Sequence, residues 1–153
     1  MSYLRGRSAV ITGGLTGQGF EIAKALAAAG ANVAVGSYVG QAKGRENDTA
    51  AYPEDDDVKK VHGALLASGV KVYAGHLDVR GTSAIQLFLT EARKQCGKID
   101  ILVNAAGTTA EQPVCGHSDA LWDKIIDTNL NGVFRMTREV LPNMITRKWG
   151  PHH

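Results

Sequence analysis

The stretch SAVITGGLTGQGFEIAKALAAAG, residues 8–30, decides the fold of this chain. Its first part, Ser8–Thr12, is a short apolar run with β-branched side chains, which predicts a buried strand. Two glycines interrupt this run, and residues 17–29 follow with a helical pattern that ends at Gly30. One face of the predicted helix carries the apolar side chains of Phe20, Ile22, Ala23 and Leu26. A strand, a glycine turn and an amphipathic helix therefore open the chain.

Strands and helices alternate along the rest of the chain. Apolar runs predict further strands at residues 32–35, 70–74 and 99–103. Helices are predicted at residues 58–67 and 82–96 and from 118 to about 147, and residues 36–57 predict a long polar loop. Strands that are apolar throughout and alternate with amphipathic helices predict an α/β fold with a doubly wound parallel sheet and right-handed crossovers. No linker divides the chain, so residues 1–153 are predicted to form one domain.

Composition and charge argue against several classes of protein. The formal net charge is +2 and the basic residues are scattered, so no nucleic-acid partner is expected. No apolar run reaches the roughly 18 residues that a membrane span needs, and the first 12 residues do not resemble a signal peptide. Cys96 and Cys115 share no metal-ligand spacing, so no metal site is predicted and both are expected to be ordinary thiols. These features predict a cytoplasmic protein.

The glycine-rich turn between the first strand and the first helix reads TGGLTGQGF, residues 12–20. In a doubly wound sheet, a ligand binds at the carboxyl ends of the strands, where glycines let the backbone approach a pyrophosphate. The helix N-terminus there offers free N–H groups and a positive dipole end. Gly13, Gly17 and Gly19 are placed for this role, although a tight structural turn is the alternative. Counted from Gly17, the G-x-G-x-x-G spacing is not met, because its sixth residue is Ile22 instead of a glycine. A P-loop is not met either, because no Gly-Lys-Ser/Thr follows.

Four ordered motifs together resemble the short-chain dehydrogenase/reductase family. The first is the spacing Thr-Gly-x-x-x-Gly-x-Gly from Thr12, and the second is Leu77-Asp78-Val79 after the third strand. The third, residues 104–107, reads Asn-Ala-Ala-Gly where the family has Asn-Asn-Ala-Gly. The fourth is WDKIIDTNLNGVF, residues 122–134, followed by LPNM, residues 141–144. The resemblance runs from about residue 8 to residue 150.

This resemblance implies the Rossmann fold with strand order 3-2-1-4, an NAD or NADP cofactor, and a set of site residues. Asp78 would accept a hydrogen bond from the adenine amino group, with a helix N-cap as the alternative role. Asn129 would hold a water in a proton relay and so belong to the catalytic machinery, with a packing role as the alternative. The expected cofactor-binding residues are Gly13, Thr16, Gly17, Gln18, Gly19, Ser37, Asp78, Val79, Asn104, Ala105, Ala106 and Gly107.

The choice between NAD and NADP stays open at this stage. An enzyme that selects NAD often ends the second strand with a carboxylate that binds the ribose 2′-hydroxyl, but here Ser37 stands near that position. The basic residues of a firm NADP site are also missing, because Thr16 and Tyr38 occupy the expected places. Lys43 and Arg45 could reach a 2′-phosphate, although solvated loop charges are the alternative. The pattern leans slightly towards NADP.

The family's catalytic Ser, Tyr and Lys are not found in these residues. The Tyr and Lys are spaced Tyr-x-x-x-Lys, but none of the four tyrosines of this chain has a lysine four residues later. Carbonyl reduction or alcohol oxidation by this chain alone is therefore not expected. The absence of these catalytic residues has three open explanations: a frameshift, a natural end near residue 150, and an end introduced by cloning. The alternatives are a non-catalytic dinucleotide-binding module and an enzyme of another class, such as a methyltransferase. For full-length members of the family, the resemblance implies a small carbonyl or alcohol substrate and a homo-oligomer with a subunit interface near Asn129. In this chain, we expect the fourth strand to be an exposed edge and an apolar patch to be exposed to solvent.

Overall fold

The computed structural model describes residues 3–40 and 52–149. Within these residues, four strands form one sheet: β1 Ser8–Thr12, β2 Asn32–Ser37, β3 Val72–His76 and β4 Ile101–Asn104. Five α-helices accompany them: α1 Gly17–Ala28, α2 Asp55–Leu66, α3 Thr82–Cys96, α4 Asp119–Ile126 and α5 Gly132–Arg147. A 3-10 turn, Val114–Gly116, precedes α4, and a π-helical turn, Asp127–Asn131, joins α4 to α5.

The sheet has the order β3-β2-β1-β4, and every pair of neighbouring strands is parallel. This confirms the predicted strand order and the doubly wound α/β class. In β1, Ala9 and Ile11 pack on one side of the sheet, whereas Val10 packs on the other. Since successive strand side chains point to opposite faces, a strand that is buried throughout must be covered on both sides.

Two apolar clusters cover the two faces of the sheet. On the side of α1 and α2, the strand residues Ile11 and Val35 pack with Ala23 and Leu65. On the side of α3 and α5, the fully buried side chains include Ile85, Phe88, Leu89, Met136 and Val140. Three layers, helices–sheet–helices, therefore form around the strands, and the carboxyl ends of the strands stay uncovered by either cluster.

Several predicted boundaries were wrong by a few residues. β2 extends to Ser37, β3 covers residues 72–76 instead of 70–74, and β4 covers residues 101–104 instead of 99–103. Ile99 is buried, but it precedes the strand, and Asp100 N donates to Ser8 O at the point where β4 joins β1. Apolar runs thus located the strands, while pairing with neighbouring strands fixed where each begins.

Helix α2 begins at Asp55, three residues before the predicted start and inside the predicted loop. A capping box explains this: the Glu54 side chain accepts from the backbone of Asp57, and Glu54 N donates to the Asp57 carboxylate at 2.9 Å. The acidic residues of the first turn also face the positive end of the helix dipole. Residues 54–57 are all acidic and have no apolar side chain, so the apolar pattern alone does not mark this first turn.

The inward face of α1 differs from the predicted one at Ile22, which is exposed. Its fully buried positions are Gly19, Ala23 and Ala27, one per turn, with Phe20 and Leu26 partly buried on either side. Small residues at a spacing of four let the helix backbone lie close to the sheet. Ile22 falls outside this stripe because it is adjacent to Ala23 in sequence and therefore points about 100° away around the helix.

The β4 side of the molecule is uncovered, as expected. β4 is an edge strand, and its residues are half-buried or exposed. Large apolar side chains of the segment from α4 to α5 are also exposed to solvent: Trp122, Leu130, Phe134 and Ile145. None of the helices within residues 3–40 and 52–149 combines the length and the hydropathy needed to cross a bilayer.

Candidate functional site

A cavity of about 490 Å³ lies at the carboxyl ends of the strands. Segments that follow all four strands line it, including Gly13, Leu77, Ala105 and Ala106. Strand order reverses between β1 and β4, and such a switch point is where open α/β sheets bind ligands. The volume falls within the roughly 300–1,000 Å³ range of small-molecule sites. Eleven of the twelve predicted cofactor-binding residues line this cavity: Gly13, Thr16, Gly17, Gln18, Gly19, Ser37, Asp78, Val79, Ala105, Ala106 and Gly107.

Three glycines shape the turn at the start of α1. Gly13 has φ +66°, and a Cβ there would stand 2.6 Å from the Ala105 carbonyl oxygen. A Cβ on Gly19 would stand 2.1 Å from the Gly13 carbonyl oxygen, so any side chain there would push the helix off the turn. Gly17 has φ +53° and open space around it. The first two glycines therefore allow close packing, and Gly17 allows the left-handed backbone beside an open surface.

The start of α1 presents its backbone to the cavity. Thr16 is the N-cap residue, yet its side chain makes no capping hydrogen bond. The first N–H groups of a helix lack partners within the helix, and together with the dipole they favour an anion. A dinucleotide pyrophosphate fits this arrangement, because it needs close backbone approach, N–H donors and no side chain in the way.

Thr12 is a positioning residue that opens the first family motif but was not among the predicted cofactor-binding residues. Its hydroxyl is fully buried and accepts hydrogen bonds from Ala105 N at 3.2 Å and Ala106 N at 3.1 Å. These bonds hold the segment after β4 against the glycine turn after β1.

Ser37 also acts on the glycine turn. Its side-chain oxygen accepts from Leu15 N at 3.2 Å, and Gly14 N donates to Gly36 O at 3.3 Å. The end of β2 thus anchors the turn that follows β1. Ser37 lines the cavity at the same time, as the resemblance implied.

Asp78 is held by Arg80, its neighbour two residues along. Arg80 donates from Nε to Asp78 Oδ1 at 3.0 Å and from Nη2 to Asp78 Oδ2 at 2.9 Å. Burial alone would raise the pKa of the Asp78 carboxyl, but the hydrogen bonds and charge of Arg80 outweigh it and lower the pKa. The residue that caps α3 is Gly81, so the alternative role of Asp78 as N-cap is wrong.

Asn104 lies apart from the other predicted cofactor-binding residues. It is the last residue of β4, pairs with Thr12 across the strands, is exposed, and does not line the cavity. Residues 105–107 do line it, so the cavity begins one residue later than the predicted segment. A role for Asn104 in cofactor binding stays a prediction.

Asn129 lies in the π-helical turn and holds the end of the 105–108 segment. Its Oδ1 accepts from Thr108 N at 2.8 Å, and its Nδ2 donates to Thr108 O at 2.9 Å. A Cβ on Gly107 would come within 3.5 Å of Asn129 Oδ1. π-Helical turns often occur at functional sites, where they shift one side chain out of the regular helical pattern. The side-chain amide therefore positions the cavity wall, and its predicted role in a proton relay stays a prediction.

The cavity is also lined by Tyr38, which stands at a position considered for NADP selectivity, and by residues that the sequence did not predict: Tyr52, Arg80, Ala120, Lys124 and Thr128. The Tyr38 ring meets the His76 ring edge-on at 4.8 Å and the Tyr52 ring at 5.8 Å. No motif connects these positions, because they come together from the ends of β2 and β3, from the start of α2 and from α4. Lys43 and Arg45, which could have bound a 2′-phosphate, lie outside the described residues.

The family model for the short chain dehydrogenase matches residues 7–151. This chain belongs to the short chain dehydrogenase family. Members of the family are oxidoreductases, and the four motifs of the sequence fall within the matched range. The identification accounts for the glycine turn, the parallel sheet and the position of the cavity together.

Two relatives show how far the similarity extends. A 2-dehydro-3-deoxy-D-gluconate 5-dehydrogenase of Pseudoalteromonas atlantica is 36% identical over 147 residues, which are 96% of this chain and 52% of the relative. A 3-oxoacyl-acyl-carrier-protein reductase of Staphylococcus epidermidis is 33% identical over 144 residues, 94% of this chain and 53% of the relative. The chain therefore spans about half the length of these relatives.

Solved structures agree with the fold and with the cofactor class. A short chain dehydrogenase of Mycobacterium paratuberculosis bound to NAD aligns with a TM-score of 0.86 at 24% identity, covering 96% of this chain and 54% of that one. An L-sorbose reductase of Gluconobacter frateurii complexed with NADPH and L-sorbose aligns with a TM-score of 0.76 at 27% identity, covering 94% and 49%. The family thus binds NAD or NADP, and different members use different forms.

Proposed function

We propose that this chain is the dinucleotide-binding half of an NAD(P)-dependent oxidoreductase that interconverts a ketone and a secondary alcohol. The cavity at the β1/β4 switch point carries the proposal, because it joins the glycine turn to the adenosine-side residues Asp78 and Val79 and to the 105–108 segment. A bound nicotinamide would supply the hydride. The parent protein is expected to be a cytoplasmic homo-oligomer with a small carbonyl or alcohol substrate.

The residues of this chain account for binding and orientation. The backbone of residues 13–19 would hold the pyrophosphate, and Asp78 would face the adenine. Thr12 and Asn129 fix the wall formed by residues 105–108, so that the wall is already in place before a ligand arrives. Preorganised walls of this kind reduce the entropic cost of binding.

Proton transfer to the reacting oxygen needs an acid that these residues do not supply in the family's pattern. Tyr3, Tyr38, Tyr52 and Tyr73 are followed four residues later by Arg, Ala, Asp and Leu, none of which is a lysine. The family's Tyr is activated by such a lysine, and general acid catalysis contributes about 10²–10⁴-fold. We therefore propose that a protein of these 153 residues binds the cofactor and does not reduce carbonyl compounds.

A matched pair of glycine variants tests the binding site. Gly17 and Gly69 both have positive φ and open space for a Cβ, but Gly17 lines the cavity and Gly69 follows α2 far from it. Both Gly→Ala changes strain the backbone by about 1–2 kcal/mol. Binding of NAD⁺ and NADP⁺ by isothermal titration calorimetry should weaken at least tenfold in Gly17→Ala and stay unchanged in Gly69→Ala. Equal binding by the two variants would contradict the placement of the cofactor.

The second candidate function is a dinucleotide-binding module without catalysis. The observation that favours it is the complete glycine turn and cavity in a chain with no Tyr-x-x-x-Lys pattern. Such a module should unfold cooperatively as a stable monomer. An uncovered half-fold should instead associate through the exposed apolar side chains of α4 and α5. Thermal unfolding combined with light scattering separates the two.

A further inference from the structure

The outer part of the cavity, beyond Ser37, is built from aromatic and cationic side chains. Tyr38 follows Ser37 at the end of β2, and its ring contacts His76 from the end of β3. The Arg80 guanidinium carbon lies 5.8 Å from the centre of the Tyr38 ring. This part of the wall therefore stands next to the place where the resemblance puts the adenosine ribose, and it includes the guanidinium of Arg80, which is paired with Asp78.

Arg80 is fixed in one orientation. Asp78 accepts from its Nε and Nη2, and the backbone N–H of Arg80 also donates to Asp78 Oδ1 at 3.0 Å. The side chain is about 31% exposed, so the pair is partly shielded from solvent. Within residues 3–40 and 52–149, the Nη1 group of Arg80 has no hydrogen-bond partner, which leaves N–H donors directed away from Asp78. A guanidinium that is held from one side can bind an anion with its remaining donors.

The described lining of the cavity offers an anionic ligand two cationic side chains beside one ion-paired carboxylate. Three of the described lining residues carry a charge at neutral pH, namely Arg80, Lys124 and Asp78, which gives two positive charges and one negative charge. The end of β2 carries Ser37 in place of a carboxylate, so nothing there repels a phosphate. Asp78 is the one nearby anion among these residues, and its charge is paired with Arg80.

We infer that Arg80 is a specificity-determining residue of the cofactor site, whose guanidinium binds the 2′-phosphate that distinguishes NADP from NAD. The inference rests on the proposed function, since it concerns the same cavity. Position 80 lies after β3, whereas Thr16 and Tyr38, where the resemblance expects the basic residues of an NADP site, lie in the glycine turn and after β2. The structure therefore assigns the discrimination to a residue that reaches the ribose side from another strand. NADP should bind more tightly than NAD.

The test is the ratio of the dissociation constants of NAD⁺ and NADP⁺ for the 153-residue chain, measured by calorimetry at one ionic strength. A charge-assisted hydrogen bond to phosphate corresponds to a ratio of about 10–100 in favour of NADP⁺. Arg80→Gln should bring the ratio close to one by weakening NADP⁺ much more than NAD⁺, and Arg80→Lys should restore part of the ratio. Arg5→Gln removes the same charge from an exposed position outside the cavity and should leave the ratio unchanged.

Both cofactors are measured on the same preparation, so the ratio does not depend on the fraction of each variant that folds. A wild-type ratio near one, or a ratio that Arg80→Gln leaves unchanged, would overturn the inference while the proposed function stands. Equal loss of both cofactors in Arg80→Gln would also overturn it, because Arg80 would then support the adenine site and not the 2′-phosphate. If neither cofactor binds the wild-type chain, both the inference and the proposed function fail.

Discussion

Replacing Thr12 by Val should loosen the cavity wall without changing the shape of the core. Valine fills nearly the same volume, but it removes the oxygen that accepts from Ala105 N and Ala106 N. Ala105 N keeps a second acceptor, Thr12 O at 3.2 Å, so the main loss falls on Ala106 N. A buried donor left without a partner costs about 1–3 kcal/mol. Because residue 106 is half-buried and water can reach it in part, we expect a loss near 1–2 kcal/mol.

The assay is urea unfolding followed by circular dichroism, with thermal melting as a second measure. A loss of about 1–2 kcal/mol corresponds to a decrease in Tm of roughly 2–8 °C for a chain of this size. Thr12→Ser keeps the oxygen and should recover most of the hydrogen-bond energy. Thr90→Val is the matched control, because the Thr90 hydroxyl is exposed and donates only to Gln86 O within its own helix. If Thr12→Val is as stable as the wild type and as Thr90→Val, the reasoning about the wall is refuted.

Three further results are expected. Asn129→Leu loses both hydrogen bonds to the 105–108 segment, so it should destabilise the chain by about 1–3 kcal/mol in urea unfolding. It should also weaken cofactor binding measured by calorimetry, and unchanged binding would contradict the positioning role of Asn129. The pKa of Asp78 is lower in the folded chain than in the unfolded chain, so the ionised carboxylate stabilises the fold. This stabilisation is present above the ordinary carboxyl pKa of about 3.9, and it is lost as the pH falls through the pKa of the folded chain. The difference in unfolding free energy between wild type and Asp78→Asn should therefore shrink below about pH 4, whereas a difference independent of pH would count against this assignment. Burial raises the pKa of the Cys96 thiol to about 11, whereas Cys115 is exposed. A disulfide reagent at pH 8 should therefore modify one thiol in the native chain and two after denaturation. Modification of both thiols in the native chain would show that the core around α3 opens readily.

The fold class and the place of the site could be predicted from local patterns, whereas the strand order followed from the family resemblance. Apolar runs marked β1, β2 and β4, and the glycine spacing after β1 marked the edge of the sheet where a ligand would bind. These features depend on residues that are close together in sequence. Because parallel strands must cross over in one hand, a few local features restrict the topology strongly.

What could not be predicted depends on contacts between distant residues. Thr12 bonds to a residue 94 positions away, and Asn129 bonds to one 21 positions away, so no local spacing reveals either contact. The Tyr38–Arg80 part of the cavity joins two strands in the same way. Strand ends were wrong because pairing between neighbours, not hydrophobicity, decides where β3 and β4 begin. Asp78 was predicted without its partner Arg80, because the spacing of two residues alone does not show that the two side chains turn towards each other.

The central claim is that a dinucleotide binds at the carboxyl ends of the strands through the glycine turn. Titrating the uniformly ¹⁵N-labelled chain with NADP⁺ while recording amide chemical shifts tests this claim most directly. The account predicts saturable shifts concentrated in residues 13–19, 37–38, 78–80 and 105–108, with α2 and the α5 C-terminus unaffected. Saturable shifts concentrated elsewhere, or no shifts at millimolar cofactor in a chain that is folded by its spectrum, would contradict it.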